Sequence, residues 1–309
     1  MRWFGWFRRG TRANAAKSRV ATDDRRFRVI GGRRYVRGSP YLLPKDDAEI
    51  NRLDFQHYML RFALRTNHVA PISQPRDILD VGTGTSRWAL EMASAFPTAN
   101  VVGVDLVAPP VDTDASKKQR PDIRPENYTF VTANILERLP FPGMSFDFVH
   151  QRLLVGAIPA VRWPEVIGEL ARVTRPGGWI ELVEAAPPPP TEGCPALRAL
   201  CQWLVEACDK RGLDAVVGPK IGGMLRDAGL QAVSYQEADL PLGGRFGARL
   251  GALSETNLIS FLTSIRGLVL SYELTDAQQF DAALMAARQE IVRTRCVWPY
   301  YVAYGQRPQ

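Results

Sequence analysis

This chain of 309 residues has little of what marks several common classes of protein. Cysteine is scarce: Cys194, Cys201, Cys208 and Cys296 are the full set. That usage fits a reducing, cytoplasmic compartment better than a disulfide scaffold. The first three recur every seven residues and share a helix face. Neighbours stand about 10 Å apart along the axis, too far to ligate one metal, so they read as small core residues. His57, His68 and His150 are the only histidines, and no His/Asp/Glu cluster has metal-ligand spacing, so no metal is expected. No uninterrupted apolar run approaches bilayer length, and no secretory apolar segment follows the first arginines, so neither a span nor a secretory leader is expected. No internal repeat is visible, and 46% apolar content supports one large domain or a domain with an elaboration.

Positive charge is also scarce, once its location is considered. The net charge is +7, from 39 Lys and Arg against 32 Asp and Glu. Residues 1–40 hold 12 of the basic residues and only Asp23 and Asp24 of the acids, which is +10. The remainder carries 27 against 30, which is −3. A body without a basic excess argues against a nucleic-acid substrate. The start, Met1-Arg-Trp3-Phe4-Gly-Trp6-Phe7-Arg8-Arg9, pairs interfacial aromatics with arginines. It fits either peripheral membrane contact or docking on a protein, including a second copy of the chain. Residues 1–35 are expected to form a flexible arm.

What is present is a nucleotide turn. Ile78-Leu-Asp80-Val-Gly82-Thr-Gly84-Thr-Ser86 is an apolar strand running into glycines, and Val101-Val-Gly-Val-Asp105 is a second strand closing on an acid. This pattern grips an adenosine-bearing cofactor in a doubly wound α/β sheet: the acid takes the ribose hydroxyls, and the glycines admit the ligand to the backbone. A dinucleotide fold would place a glycine where Arg87 stands. Asp80 ahead of the turn would repel a pyrophosphate but attract the ammonium and sulfonium of S-adenosylmethionine.

Asp80-Val-Gly82-Thr-Gly84-Thr-Ser86 resembles motif I of class I S-adenosylmethionine-dependent methyltransferases. Phe146-Asp-Phe-Val-His150-Gln-Arg152 resembles their fourth-strand motif, and Glu169 through Pro176-Gly-Gly178-Trp-Ile-Glu-Leu their next helix, turn and strand. Tyr41-Leu-Leu-Pro44, Glu49 through His57, and Trp298 through Pro308 are similar to the LaeA-like branch, many of whose members serve secondary metabolism. The likeness spans roughly residues 35–309. It implies a Rossmann-like, seven-stranded, mostly parallel sheet with helical lid insertions. Two departures stand out: Ser86 replaces the third glycine and could cap the following helix, and Asn134 replaces an acid that reads adenine.

The organisation expected is an arm to residue 35, a lid helix within 36–75, a cofactor-binding core over 76–240, a helical insertion at 241–296 and a final strand at 297–309. Asp46 and Asp47 can cap a helix running through Arg65, and Ser86–Ala95 and Trp163–Thr174 read as further helices. Strands are expected at Arg76–Val81, Asn100–Asp105, Tyr128–Thr132, Phe146–His150, Trp179–Glu184, Ala232–Leu240 and Val297–Gly305. Residues 107–127 read as a surface excursion.

Cofactor contacts are expected from Tyr41, Arg52, Asp80, Gly82, Thr83, Gly84, Asp105, Leu106, Asn134, Ile135 and Gln151. Arg52 would suit the methionine carboxylate or, equally, a salt bridge. His150 is the candidate base, with a packing role beside the cofactor as the alternative. A small, hydrophobic acceptor would meet His57, Leu154, Trp163, Glu184, Trp298 and Tyr300. For most of these the competing reading is core, and for Glu184 it is a neighbouring arginine. No Asn-Pro-Pro-Tyr follows the fourth strand, which argues against nucleobase amines. The reaction expected is methyl transfer to O, N or C of that acceptor. The rival readings are a regulatory methyltransferase within a protein complex and an NAD-dependent oxidoreductase.

Overall fold

A computed structural model describes residues 27–109, 125–188 and 193–309. Residues 1–26, most of the expected arm, lie outside the described residues, as do 110–124. The rest of the arm is ordered. Strands β1 (Phe27–Ile30) and β2 (Arg33–Val36) form an antiparallel hairpin. Tyr35 is buried. Arg33 makes a fork onto Asp46, from Nε to Oδ2 at 2.8 Å and from Nη2 to Oδ1 at 2.5 Å. Asp46 in turn accepts from the Glu49 amide at 3.0 Å as the N-cap of α1 (Asp47–Leu64). The hairpin therefore holds the first turn of the lid helix, where a flexible segment was expected.

The core alternates strand and helix: β3 (Asp77–Val81), α2 (Arg87–Ala95), β4 (Asn100–Asp105), β5 (Tyr128–Thr132), β6 (Phe146–Arg152), α3 (Trp163–Val173) and β7 (Thr174–Ala185). Then follow α4 (Pro195–Asp209), α5 (Ile221–Asp227), β8 (Gln231–Pro241), α6 (Gly244–Ser271), α7 (Ala277–Arg293) and β9 (Val297–Gln306). Seven strands form one sheet in the order β5-β4-β3-β6-β7-β9-β8. The first five are parallel, and β9 runs antiparallel between β7 and β8. The order reverses between β3 and β6, so the crevice for a ligand opens at their carboxyl ends.

Alternation along the buried strands divides two cores. Ile78, Val101 and Phe148 face Trp88 and Met92 of α2. Leu79, Val81, Val149 and Ile180 face Ile167 and Leu170 of α3 and Ile221 of α5. A third core, formed by α4, α6, α7 and part of α1, caps the carboxyl end of the sheet and includes Leu60, Leu204, Leu262 and Phe280. Here the structure corrects the expected boundary: α4 packs with the insertion, not with the sheet. Ridges of Leu, Ile and Phe supply the hydrophobic drive for this layer, and a buried ion pair at its edge, Glu49 with Arg52, faces α6 from α1. Among the described residues, no helix is long and apolar enough to cross a membrane.

Candidate active site

Strand ends, the glycine turn and the helical cap enclose a cavity of about 210 Å³. Most of the residues singled out in the sequence line it: Tyr41, Arg52, His57, Asp80, Gly82, Thr83, Gly84, Asp105, Leu106, Asn134, Ile135, His150, Leu154, Trp298 and Tyr300. The turn leaves β3 with Gly82 at φ 70° and Gly84 at φ 55°, in the left-handed region that favours glycine. A Cβ on Gly82 would lie 2.6 Å from Leu154. The amides of Gly82 and Thr83 donate to the Val104 carbonyl at 2.8 and 2.9 Å, and Gly84 donates to Asp105 Oδ2 at 2.9 Å. Asp105 Oδ1 faces Lys45 Nζ at 3.6 Å. The acid thus shapes the turn it was expected to serve from across the ribose.

Ser86 does not cap α2. It occupies the left-handed region itself, at φ 64°, with no side-chain cap bond. Its hydroxyl instead accepts from Tyr128 at 2.7 Å. The conformation explains why glycine suits this position, and the tyrosine contact gives serine a partner there. Asn134, which lines the cavity, accepts from the Leu136 amide through its Oδ1 at 3.1 Å and keeps a second lone pair on that oxygen.

Asp80 and His150 sit opposite each other in the β3–β6 register. Asp80 Oδ1 is 2.9 Å from His150 Nδ1, and Oδ2 accepts from Thr83 Oγ1 at 2.7 Å. A carboxylate only accepts, so Nδ1 carries the imidazole proton and Nε2 keeps its lone pair. The ring stacks on Trp88, with centroids 3.8 Å apart and planes 5° from parallel. Burial pulls the His150 pKa below its ordinary value and outweighs the hydrogen bond and charge of Asp80. His150 is therefore neutral, with its ring orientation set by Asp80 and Trp88.

Three expectations fail on position. Trp163 is fully buried under the sheet with α3, away from the cavity. It is the first residue of that helix, and its apolar bulk fills the core there. Gln151 is also fully buried, because alternation along β6 turns it to the face opposite His150. Glu184 does not line the cavity. Its carboxylate accepts the Leu154 and Val155 amides at 2.9 and 3.0 Å and braces the loop leaving β6. Glu181 does the same for residues 69–70, at 2.7 and 2.6 Å. Burial raises these two acids to about 8 and about 7.

Arg52 lines the cavity, but Glu49 takes it through Nε and Nη2, and its Nη1 lies 3.5 Å from Asn257 Oδ1. Of its two expected fates, the salt bridge is the one observed, though within the protein. His57 is buried and held neutral, its pKa lowered to about 4 by burial first and by Arg152 second. Arg152 went unassigned in the sequence. It stands two residues after His150 on the same strand face, and strand periodicity would have placed it in the crevice. Trp88 was equally legible as the second residue after Ser86.

A methyltransferase-domain family model matches residues 78–178. Methyltransferase str3 of Strobilurus tenacellus is 31% identical over 234 residues, covering 74% of this chain and 80% of its own length. N-methyltransferase sirN of Leptosphaeria maculans is 31% identical over 229 residues, covering 71% and 77%. Secondary metabolism regulator laeA of Aspergillus flavus is 30% identical over 252 residues, covering 77% and 64%. The fold order, the turn and these relatives agree, and S-adenosylmethionine is the methyl donor. The chain belongs to the class I S-adenosylmethionine-dependent methyltransferases.

Proposed function

We propose that this cavity binds S-adenosylmethionine along the β3 turn and methylates an O, N or C atom of a hydrophobic small molecule in specialised metabolism. The cofactor supplies an activated methyl group on a sulfonium. The residues present fit it. Gly82 and Gly84 carry the left-handed turn that lines the cavity, Asp105 faces the cavity from the end of β4, and Asp80 would supply negative charge to a cationic methionine arm. The observation that carries the proton-transfer role is the Asp80–His150 contact at 2.9 Å. It fixes the imidazole with a basic nitrogen, so His150 would take up the proton that the acceptor gives up. Asp80, buried beside it, would stabilise the imidazolium that results.

The wall beyond the turn supports an apolar acceptor. Phe261 of α6 and Trp298 of β9 face the cavity from the cap, with the Tyr300 hydroxyl 3.4 Å from Asn257 Nδ2. Two related fungal enzymes, sirN and tcpN, are named N-methyltransferases. That makes nitrogen the first acceptor atom to try. Calorimetry with S-adenosylhomocysteine and with NADH tests the cofactor. Mass spectrometry of a host extract incubated with methyl-labelled cofactor tests the acceptor. Saturable NADH binding without S-adenosylhomocysteine binding would overturn the reading.

A further inference from the structure

Four cationic side chains line the cavity: Lys45, Arg52, Arg87 and Arg152. Three of them face carboxylates: Lys45 faces Asp105, Arg52 is taken by Glu49, and Arg87 donates to Asp54 at 2.9 Å. Arg152 differs. Its Nη2 lies 3.1 Å from His57 Nδ1, and no described carboxylate hydrogen-bonds or ion-pairs with its guanidinium. His57 accepts that bond as a neutral ring, so it satisfies one N–H and cancels no charge. Arg152 follows the Val81–Gln151 pair by one residue, which sets it level with Gly82 at the mouth of the turn.

A guanidinium in a largely apolar enclosure is costly unless an anion joins it, and its planar fork matches a carboxylate. We infer that Arg152 is a carboxylate anchor of this cavity, completed by the ligand and not by the protein. The inference rests on the cavity being the S-adenosylmethionine site. Two sources carry the required group: the α-carboxylate of the cofactor's methionine arm, and an acidic group on the apolar acceptor. Arg52, the arginine expected to hold the cofactor carboxylate, is already bound to Glu49, which leaves Arg152 as the cation with coordination to spare. The electrostatic surroundings agree. Asp80, Glu91 and Glu181 act on Arg152 only at longer range, and burial lowers its pKa against their pull. His57 sets the guanidinium's orientation, with its Nε2 3.3 Å from Glu91.

The test uses the full chain with Arg152→Met and Arg152→Lys, each checked by thermal melting. Calorimetry then measures S-adenosylhomocysteine, which carries the carboxylate, and 5′-methylthioadenosine, which lacks the amino-acid arm. In protein saturated with S-adenosylhomocysteine, 4-phenylbutyrate and its neutral amide serve as acceptor probes. If the cofactor is the source, Arg152→Met weakens S-adenosylhomocysteine by about 10–100-fold and leaves methylthioadenosine unchanged. If the acceptor is the source, S-adenosylhomocysteine is unaffected, and the variant loses phenylbutyrate but not the amide. Lysine keeps the charge without the fork and gives a smaller loss on the same probe; it decides the question should the methionine variant fail to fold. The inference is overturned if no carboxylate probe depends on Arg152, or if charged and uncharged probes weaken equally. Failure of the wild-type chain to bind S-adenosylhomocysteine would strike the site assignment itself.

Discussion

His150 has one nitrogen committed to Asp80 and one ring face covered by Trp88, so its titration is the residue-scale property open to measurement. Burial lowers its pKa from 6.5, and the proposed base role requires the neutral form. Turnover at saturating cofactor should therefore be on its plateau at pH 7 and fall only as the pH drops below that ordinary value. His150→Gln should remove this acid limb and slow turnover by about 10²–10⁴-fold. A limb that persists in the variant would assign the titration to another group. At this scale much was legible before the fold. Asp80, Gly82, Gly84 and Asp105 were fixed by spacing, because a nucleotide turn needs those residue types at those positions. Glu184 was misplaced, and Arg52 took the salt bridge of its two expected fates, for a common reason. Spacing along a strand or helix gives the face of a side chain, but not the partner that reaches it first. Glu49 reaches Arg52 from one helical turn away, and backbone amides reach Glu184.

At the scale of elements, two carboxylates on β7 act as braces, and Glu184 ties the β6 exit loop to the strand. Its pKa rises from 4.5 to about 8 in the folded chain. The folded state then holds this proton more tightly than the unfolded chain. The stabilisation is complete below pH 4.5 and is lost as the pH climbs through about 8. Urea unfolding of the wild-type chain and Glu184→Gln at pH 5 and pH 9 should show a gap that shifts in the variant's favour at the alkaline end. A constant gap would remove Glu184 as its origin. The kink that opens α6 offers a steric test. Ala248 departs from helical geometry there, and a Cβ on Gly251 would lie 2.2 Å from the Gly243 carbonyl oxygen. Backbone cannot yield as a side chain can, so Gly251→Ala should lower stability by about 1–3 kcal/mol in chemical denaturation. The sheet strands and α1 were readable to within a few residues from alternation and capping. The hairpin was not, because its four-residue strands are held by Arg33 and Tyr35 contacts to residues outside the hairpin.

For the whole molecule, the charge split and the hairpin together define where an arm can be removed. Arg33 ties the hairpin to the first turn of α1 and reaches Ser264 of α6 at 3.1 Å. Deleting residues 1–26 should leave melting temperature and S-adenosylhomocysteine affinity unchanged while lowering binding to anionic vesicles or to a protein partner. Extending the deletion through residue 36 should lower the melting temperature, because it cuts the bond that organises the lid. Equal melting temperatures for the two truncations would detach the hairpin from the lid's stability. A regulatory role within a complex would show as partner loss with turnover intact in the shorter deletion.

The placement of β9 between β7 and β8 has a consequence for biosynthesis. As the nascent chain leaves the ribosome, β8 has no neighbour to pair with until residues 297–306 follow. The stretch translated in the interval holds α6, which lines the cavity, and α7, which packs against it. The nucleotide-gripping half can fold early, while the acceptor-facing half closes only when the last strand slides in. A slow or stalled late stage of translation would therefore yield a protein able to hold its methyl donor before it can choose what to methylate.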